Sequence, residues 1–255
     1  MFKTGVVSVT FRQKSISEII KLIREAGLDA IEVGSDVHAP KEDISLCTAI
    51  ANEAKKNKIE IVSYGSYYRL GQYSDAAAEF SAYIDAAKAL GAKNIRIWAG
   101  IKNNEDISED EYKKLIAEAV LCVSIAAKNG MKVSFEYHGG TLTNTCESAL
   151  NLMHKIDRPD VHLYWQPNQN KDVEFNVAAL KQVLPYVSNV HVFAWDARSG
   201  KCIRHPLSEH ADAWKRYLDI LASDGKDRTL LLEFVKDDST EQYMADAGTL
   251  LSWIK

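Results

Sequence analysis

The feature that most constrains this chain is an alternation: short β-prone runs followed by amphipathic helical stretches, repeated eight times in 255 residues. The β-prone runs are Val6–Thr10, Ala30–Val33, Ile59–Ser63, Asn94–Trp98, Lys132–Glu136, Val161–Trp165, Val190–Phe193 and Thr229–Glu233. Several lack polar alternation, as strands of a parallel sheet covered by helices do. Between them, apolar residues recur at helical spacing. Ser15 is placed to cap the first helix, with Ile16, Ile19, Ile20 and Ile23 on one face. Further helices are expected over Ser45–Asn57, Ser74–Leu90, Ser108–Asn129, Thr145–Lys155, Asn176–Val187, His210–Ala222 and Ser239–Ile254. Ser108 with Glu111 reads as a capping box, and Gly27, Gly91 and Gly130 sit where helices should stop. No low-complexity linker interrupts the pattern. It therefore predicts an α/β fold, a (β/α)8 TIM barrel, formed by one domain over residues 1–255. A doubly wound open sheet is disfavoured, because the loop after Thr10 reads FRQKS and carries no glycine-rich phosphate fingerprint.

Composition narrows the function classes. Lys plus Arg number 31 against 35 Asp plus Glu, a net charge of −4, which argues against a nucleic-acid partner. No run approaches the ~18 consecutive apolar residues of a membrane span, and the N-terminus lacks the apolar core of a signal peptide. The four cysteines form no CxxC pair and are read as reduced thiols. A cytoplasmic location without membrane association is the expectation.

In such a barrel the chemistry sits at the C-terminal strand ends. The fifth strand ends in Glu136, followed by His138. The sixth leads into YWQPNQN, presenting Gln166, Asn168 and Gln169. The seventh carries His191 and leads to Phe193 and Trp195; the eighth ends in Glu233, followed by Lys236. Two converging carboxylates repel unless a proton or a cation joins them. Glu136, Gln166, His191 and Glu233 make a mixed oxygen and nitrogen set for a divalent metal rather than a soft, thiolate-selected one. Trp98 and Trp195 can offer faces to the C–H side of a sugar. His138, Arg204 and His38 complete the candidate substrate contacts.

This order of residues resembles the xylose isomerase-like TIM-barrel superfamily, and within it the sugar epimerase/isomerase branch that includes D-tagatose 3-epimerase-like proteins. The similarity extends to GLDAIEVG at the second strand and AKALGAKNIRIW entering the fourth. The resemblance implies that Glu136 and Glu233 bind the metal and act as the catalytic acid and base, with His191 as the imidazole ligand. It favours Mn²⁺, with Co²⁺, Mg²⁺ or Zn²⁺ as alternatives, and a homodimer or homotetramer. The branch usually has an aspartate ligand after the sixth strand and a substrate-contacting histidine three residues later. Here these are Gln166 and Gln169, which removes one negative charge and one titrating imidazole. The expected activity is isomerisation or epimerisation of an unphosphorylated sugar or sugar acid, by proton transfer through an enediolate. FVKDDST after Glu233 lacks a glycine-rich phosphate cradle. The alternatives are a non-catalytic sugar- or metabolite-binding barrel and an AP endonuclease-like DNA-repair enzyme. The latter branch holds three zinc ions with a richer His/Asp/Glu set, and only one secure imidazole ligand is offered at these strand ends.

Overall fold

A computed structural model describes residues 1–254 of the chain. Eight parallel strands close into a barrel: β1 (Phe2–Val7), β2 (Ala30–Gly34), β3 (Glu60–Arg69), β4 (Asn94–Trp98), β5 (Lys132–Glu136), β6 (Val161–Trp165), β7 (Val187–Val192) and β10 (Arg228–Leu232). β1 closes the ring by pairing with both β2 and β10. A two-stranded antiparallel ribbon, β8 (Trp195–Asp196) with β9 (Ile203–Arg204), is inserted after β7.

Eight helices cover the barrel: α1 (Ile16–Glu25), α2 (Ile44–Lys56), α3 (Ala76–Leu90), α4 (Glu109–Lys128), α5 (Cys146–Ile156), α6 (Val173–Val183), α7 (Ala211–Ala222) and α8 (Thr240–Trp253). The sequence signals act where they were expected. Ser15/Glu18 and Ser108/Glu111 form reciprocal capping boxes, and Gly91 ends α3 in the left-handed conformation. Asp43, Asp75 and Asp172 cap α2, α3 and α6 by accepting a backbone N–H three residues on.

Several boundaries differ from expectation, and three of the shifts have a local reason. The first strand lies at Phe2–Val7 rather than Val6–Thr10, because its pairing with β10 runs from Phe2↔Arg228 to Val6↔Leu232. Ser8–Phe11 instead turns as a 3₁₀ helix whose Ser8 hydroxyl accepts the N–H of Gly34. β3 extends to Arg69, six residues beyond the expected end at Ser63, and its register with β4 shifts between Gly65 and Arg69. α6 stops at Val183 instead of Val187. Pro185 cannot continue an α-helix, and Leu184–Tyr186 forms a 3₁₀ turn that lets β7 begin at Val187.

The barrel interior is divided by chemistry. Val7, Val9, Tyr164 and Leu231 form an apolar cluster of their own, separate from the large cluster beneath the helices. Elsewhere the interior is polar: Asn94 donates to Ser63 at 3.1 Å and accepts from Ser134 at 2.8 Å. Gly5 permits the close passage of β1 over β2, since a Cβ there would fall 2.2 Å from the carbonyl oxygen of Ala30.

Candidate metal centre and active site

The polar half of the barrel culminates at its C-terminal mouth. Glu136 ends β5, His191 is the fifth residue of β7, and Glu233 follows β10 directly. All three are buried, at 4%, 0% and 7% exposure. They contribute ligand-type atoms that lie within 4.8 Å of one another. His191 Nδ1 is 3.7 Å from Glu136 Oε1, 3.4 Å from Glu233 Oε2 and 3.0 Å from Gln166 Oε1. Gln166, buried just beyond β6, thus brings its amide oxygen to the same point.

Strand ends alone do not hold these carboxylates in place. Arg96, at the centre of β4 and 2% exposed, donates through Nη1 to Glu136 Oε2 and through Nε to Glu32 Oε1, the latter at 2.8 Å. Trp98 adds its indole N–H to Glu136 Oε2 at 2.6 Å. Glu136 therefore keeps Oε1 toward His191 while Oε2 is bound from behind. Gly65 makes room for this network, because a Cβ there would lie 2.7 Å from Glu32 Oε1 and 2.9 Å from Arg96 Nη2. Tyr67 places its ring 5.2 Å from the Arg96 guanidinium, at a positive φ of 55° that non-glycine residues seldom adopt.

The two glutamates titrate in opposite directions. Burial presses the Glu136 carboxyl upward, but Arg96 and then His191, His138 and Trp98 outweigh it, holding the carboxyl below its ordinary value. Burial raises Glu233, and the Glu136 charge adds to that despite the pull of His191. Three buried glutamates, at 32, 136 and 233, face one buried arginine at 96. With all four ionised the cluster carries a charge of −2, which one divalent cation would balance. Two carboxylate oxygens, an imidazole nitrogen and an amide oxygen form a hard-to-borderline donor set of the kind divalent metals take. Their mutual spacing suits metal bonds of ~2.0–2.3 Å. The residues present therefore fit the ion.

The remaining sequence candidates are spread around this cluster. Trp98 and His138 adjoin the carboxylates, stacked with centroids 4.7 Å apart. His138, Gln166, Asn168 and Gln169 line one small cavity, although Asn168 Oδ1 accepts from Asn170 N within its own turn. Trp195 and Arg204 lie on the β8–β9 ribbon. Trp195 stacks on Phe193 at 3.9 Å and donates to the Phe234 carbonyl, while Arg204 pairs with Asp238 at 2.6 Å. Lys236 sits half-buried in the turn that follows Glu233. His38 is buried, and its two ring nitrogens face Ser8 Oγ and the Lys14 carbonyl of the segment that follows β1. Sequence reasoning missed Glu32, Arg96, Tyr67 and Arg69. A charged residue inside each of the β-prone runs AIEVG and NIRIW was the available signal.

A family model described as xylose isomerase-like TIM barrel matches residues 20–255. The chain belongs to this family. A curated 3-dehydroshikimate dehydratase from Bacillus anthracis is 23% identical over 207 residues, covering 74% of this chain and 70% of that protein. Among solved structures, a probable 3-DHS dehydratase involved in petrobactin synthesis in the same organism superposes with a TM-score of 0.80 at 19% identity, covering 98% and 99% of the two chains. A zinc-bound IOLI protein gives 0.77 at 16% identity, with 99% and 98% coverage. An L-ribulose 3-epimerase gives 0.74 at 15% identity, with 99% and 94% coverage. At these identities the structural likenesses establish the barrel.

Proposed function

We propose that this member of the family is a metal-dependent enzyme that removes a proton from the carbon next to a carbonyl in a small polyhydroxylated substrate, an unphosphorylated sugar or sugar acid. The observation that carries this reading is the buried Glu136/His191/Glu233 cluster with its two unlike carboxylates. A divalent ion, for which Mn²⁺ is favoured, would supply charge stabilisation for the developing enediolate. Glu136, His191, Glu233 and Gln166 would hold it. Glu136, kept ionised by Arg96 and oriented by Trp98, is suited to remain a fixed anion. Glu233 has no arginine bound to it, in contrast to Glu136, which leaves its carboxylate free to exchange a proton with substrate carbon. Return of the proton by Glu233 to the neighbouring carbon, with a proton passing between the two substrate oxygens, gives isomerisation; epimerisation requires a second acid that delivers a proton to the opposite face. His138, stacked on Trp98 at the mouth, is placed to reach a substrate oxygen.

A second outcome of the same first step is favoured by the curated relative. If the enediolate expels a β-hydroxyl group instead of recapturing a proton, the reaction is a dehydration. One experiment separates the outcomes. The Mn²⁺-loaded protein is incubated in D₂O with a panel of ketoses, aldoses and 3-dehydroshikimate, followed by proton NMR and near-ultraviolet absorbance. Deuterium in a sugar and its epimer or isomer supports the first outcome, and appearance of an aromatic chromophore supports the second. A protein that holds its metal yet exchanges no substrate proton across the panel counts against both.

A further inference from the structure

Resting on the reading just given, we infer that Arg69 is the specificity-determining residue of the site and that it selects substrates bearing a carboxylate. β3 lines the mouth with alternate residues. Gly65 faces Glu32 and Arg96, and Tyr67 packs its ring against Arg96. The intervening residues point outward: Tyr64 donates to the Ala39 carbonyl, Ser66 to the Arg96 carbonyl, and the Tyr68 ring packs on Phe80. Arg69 follows Gly65 and Tyr67 on the inner face. Its guanidinium carbon lies 4.4 Å from the ring centroid of Trp98, the residue it pairs with in register on β4.

Charge bookkeeping at the mouth leaves Arg69 and Lys236 as half-buried cations without an acidic partner among the described residues, and of these Arg69 alone lies over Trp98, whose indole N–H is bonded to Glu136. Arg12 is engaged by Asp36 at 2.8 Å and Arg204 by Asp238 at 2.6 Å. Arg96 is consumed by Glu32 and Glu136, so its guanidinium serves the network behind the site. Arg69 is half-buried and has no acidic partner among the described residues. Lying over the indole, the guanidinium keeps N–H donors for a planar, bidentate acceptor. The Trp98 indole N–H is itself bonded to Glu136. One indole's width thus separates the unpaired cation from the carboxylate cluster. A substrate anchored on Arg69 by its carboxylate would lay its hydroxylated carbons toward Glu136 and Glu233. With a divalent ion balancing the −2 charge of the cluster, the site has no surplus positive charge for a substrate carboxylate, so a cation of its own is needed to receive one.

The test measures binding to the Mn²⁺-loaded protein by calorimetry, using three matched pairs: shikimate and its methyl ester, D-gluconate and sorbitol, D-xylonate and xylitol. At least one acid should bind about 10- to 100-fold more tightly than its neutral partner, the range for hydrogen bonds to a charged group. In R69Q that preference should collapse while the neutral partner binds as before. R69K, which keeps the charge but loses the planar fork, should fall between. K102Q, at an exposed pair with Glu111, controls for net charge and should keep the preference. The inference is overturned if no acid is preferred by the wild-type protein, or if R69Q retains the preference. Failure to hold Mn²⁺ in the first place would overturn the proposed function instead, so the two failures are distinct. Unchanged Mn²⁺ binding by R69Q confirms that the variant is folded.

Discussion

Replacing Arg96 with methionine tests the internal electrostatics most severely. In the intact protein Arg96 is 2% exposed and lies between Glu32, at 0%, and Glu136, at 4%. Methionine fills much of the same volume but supplies no donor. Glu136 would retain the Trp98 indole N–H, whereas Glu32 Oε1 would lose the Arg96 donor and Glu32 Oε2 already lacks a hydrogen-bond partner. Removing one partner of a buried ion pair costs roughly 3–5 kcal/mol, because a desolvated charge is stranded. Two carboxylates share this cation, so R96M should sit at the upper end, about 4–5 kcal/mol, in metal-free urea unfolding at pH 8. The deficit should shrink at pH 5.5, as stranded carboxylates take up protons more readily than exposed ones. The double variant E32Q/R96M removes one stranded charge and should recover about 1–3 kcal/mol. A loss below about 1 kcal/mol for R96M would refute the reasoning. So would a double variant no more stable than R96M.

Four other outcomes follow from the same geometry. E233Q should lower turnover on whichever panel substrate is active by about 10²–10⁴-fold in steady-state assays, and a loss under tenfold would remove Glu233 from the proton path. G65A should cost roughly 1–3 kcal/mol in thermal or urea unfolding, since its Cβ would displace Glu32 and Arg96; wild-type stability would show the approach is not tight. Q166D restores a carboxylate beside His191 Nδ1 and should tighten Mn²⁺ about tenfold or more by calorimetry, whereas equal or weaker binding would exclude position 166 from the ligand set. His162 is held neutral to about pH 4, chiefly by burial, with Lys132 and Lys226 adding to the effect. Its folded pKa lies below the unfolded value, so stability is full above about pH 6.5 and falls as pH drops through the window toward 4. Allowing for partial exposure, the loss is about 2 kcal/mol. H162Q should flatten this slope in urea titrations, and an unchanged slope would refute the assignment.

The barrel was legible because its signals are local and repeated. Helix caps at Ser15 and Ser108, the glycine stop at Gly91 and β-branched strand runs act within a few residues of themselves. Glu136, His191 and Glu233 were legible for a related reason: a strand end places its last inward residue in the mouth whatever the rest of the chain does. The supporting network was not legible. The Glu32–Arg96–Glu136 chain joins residues 64 and 40 positions apart, and its geometry depends on which neighbour each strand pairs with around the closed barrel. His38 shows the converse. It is a candidate substrate contact by sequence, yet Ser8 Oγ and the Lys14 carbonyl, 30 and 24 positions away, face its two ring nitrogens. Pro185 is a helix breaker readable in the sequence, and β7 begins two residues after it.

Glu136, His191, Glu233 and Gln166 are proposed to form one divalent-metal site. Calorimetric titration of the metal-stripped protein with Mn²⁺, run in parallel on E233Q, tests it most directly. The account predicts binding of one ion per chain in the native sequence, with affinity reduced at least tenfold in E233Q, whose neutral amide leaves the cluster with less charge to balance. Absence of specific Mn²⁺ binding by the folded native protein, or equal affinity in E233Q, would contradict it.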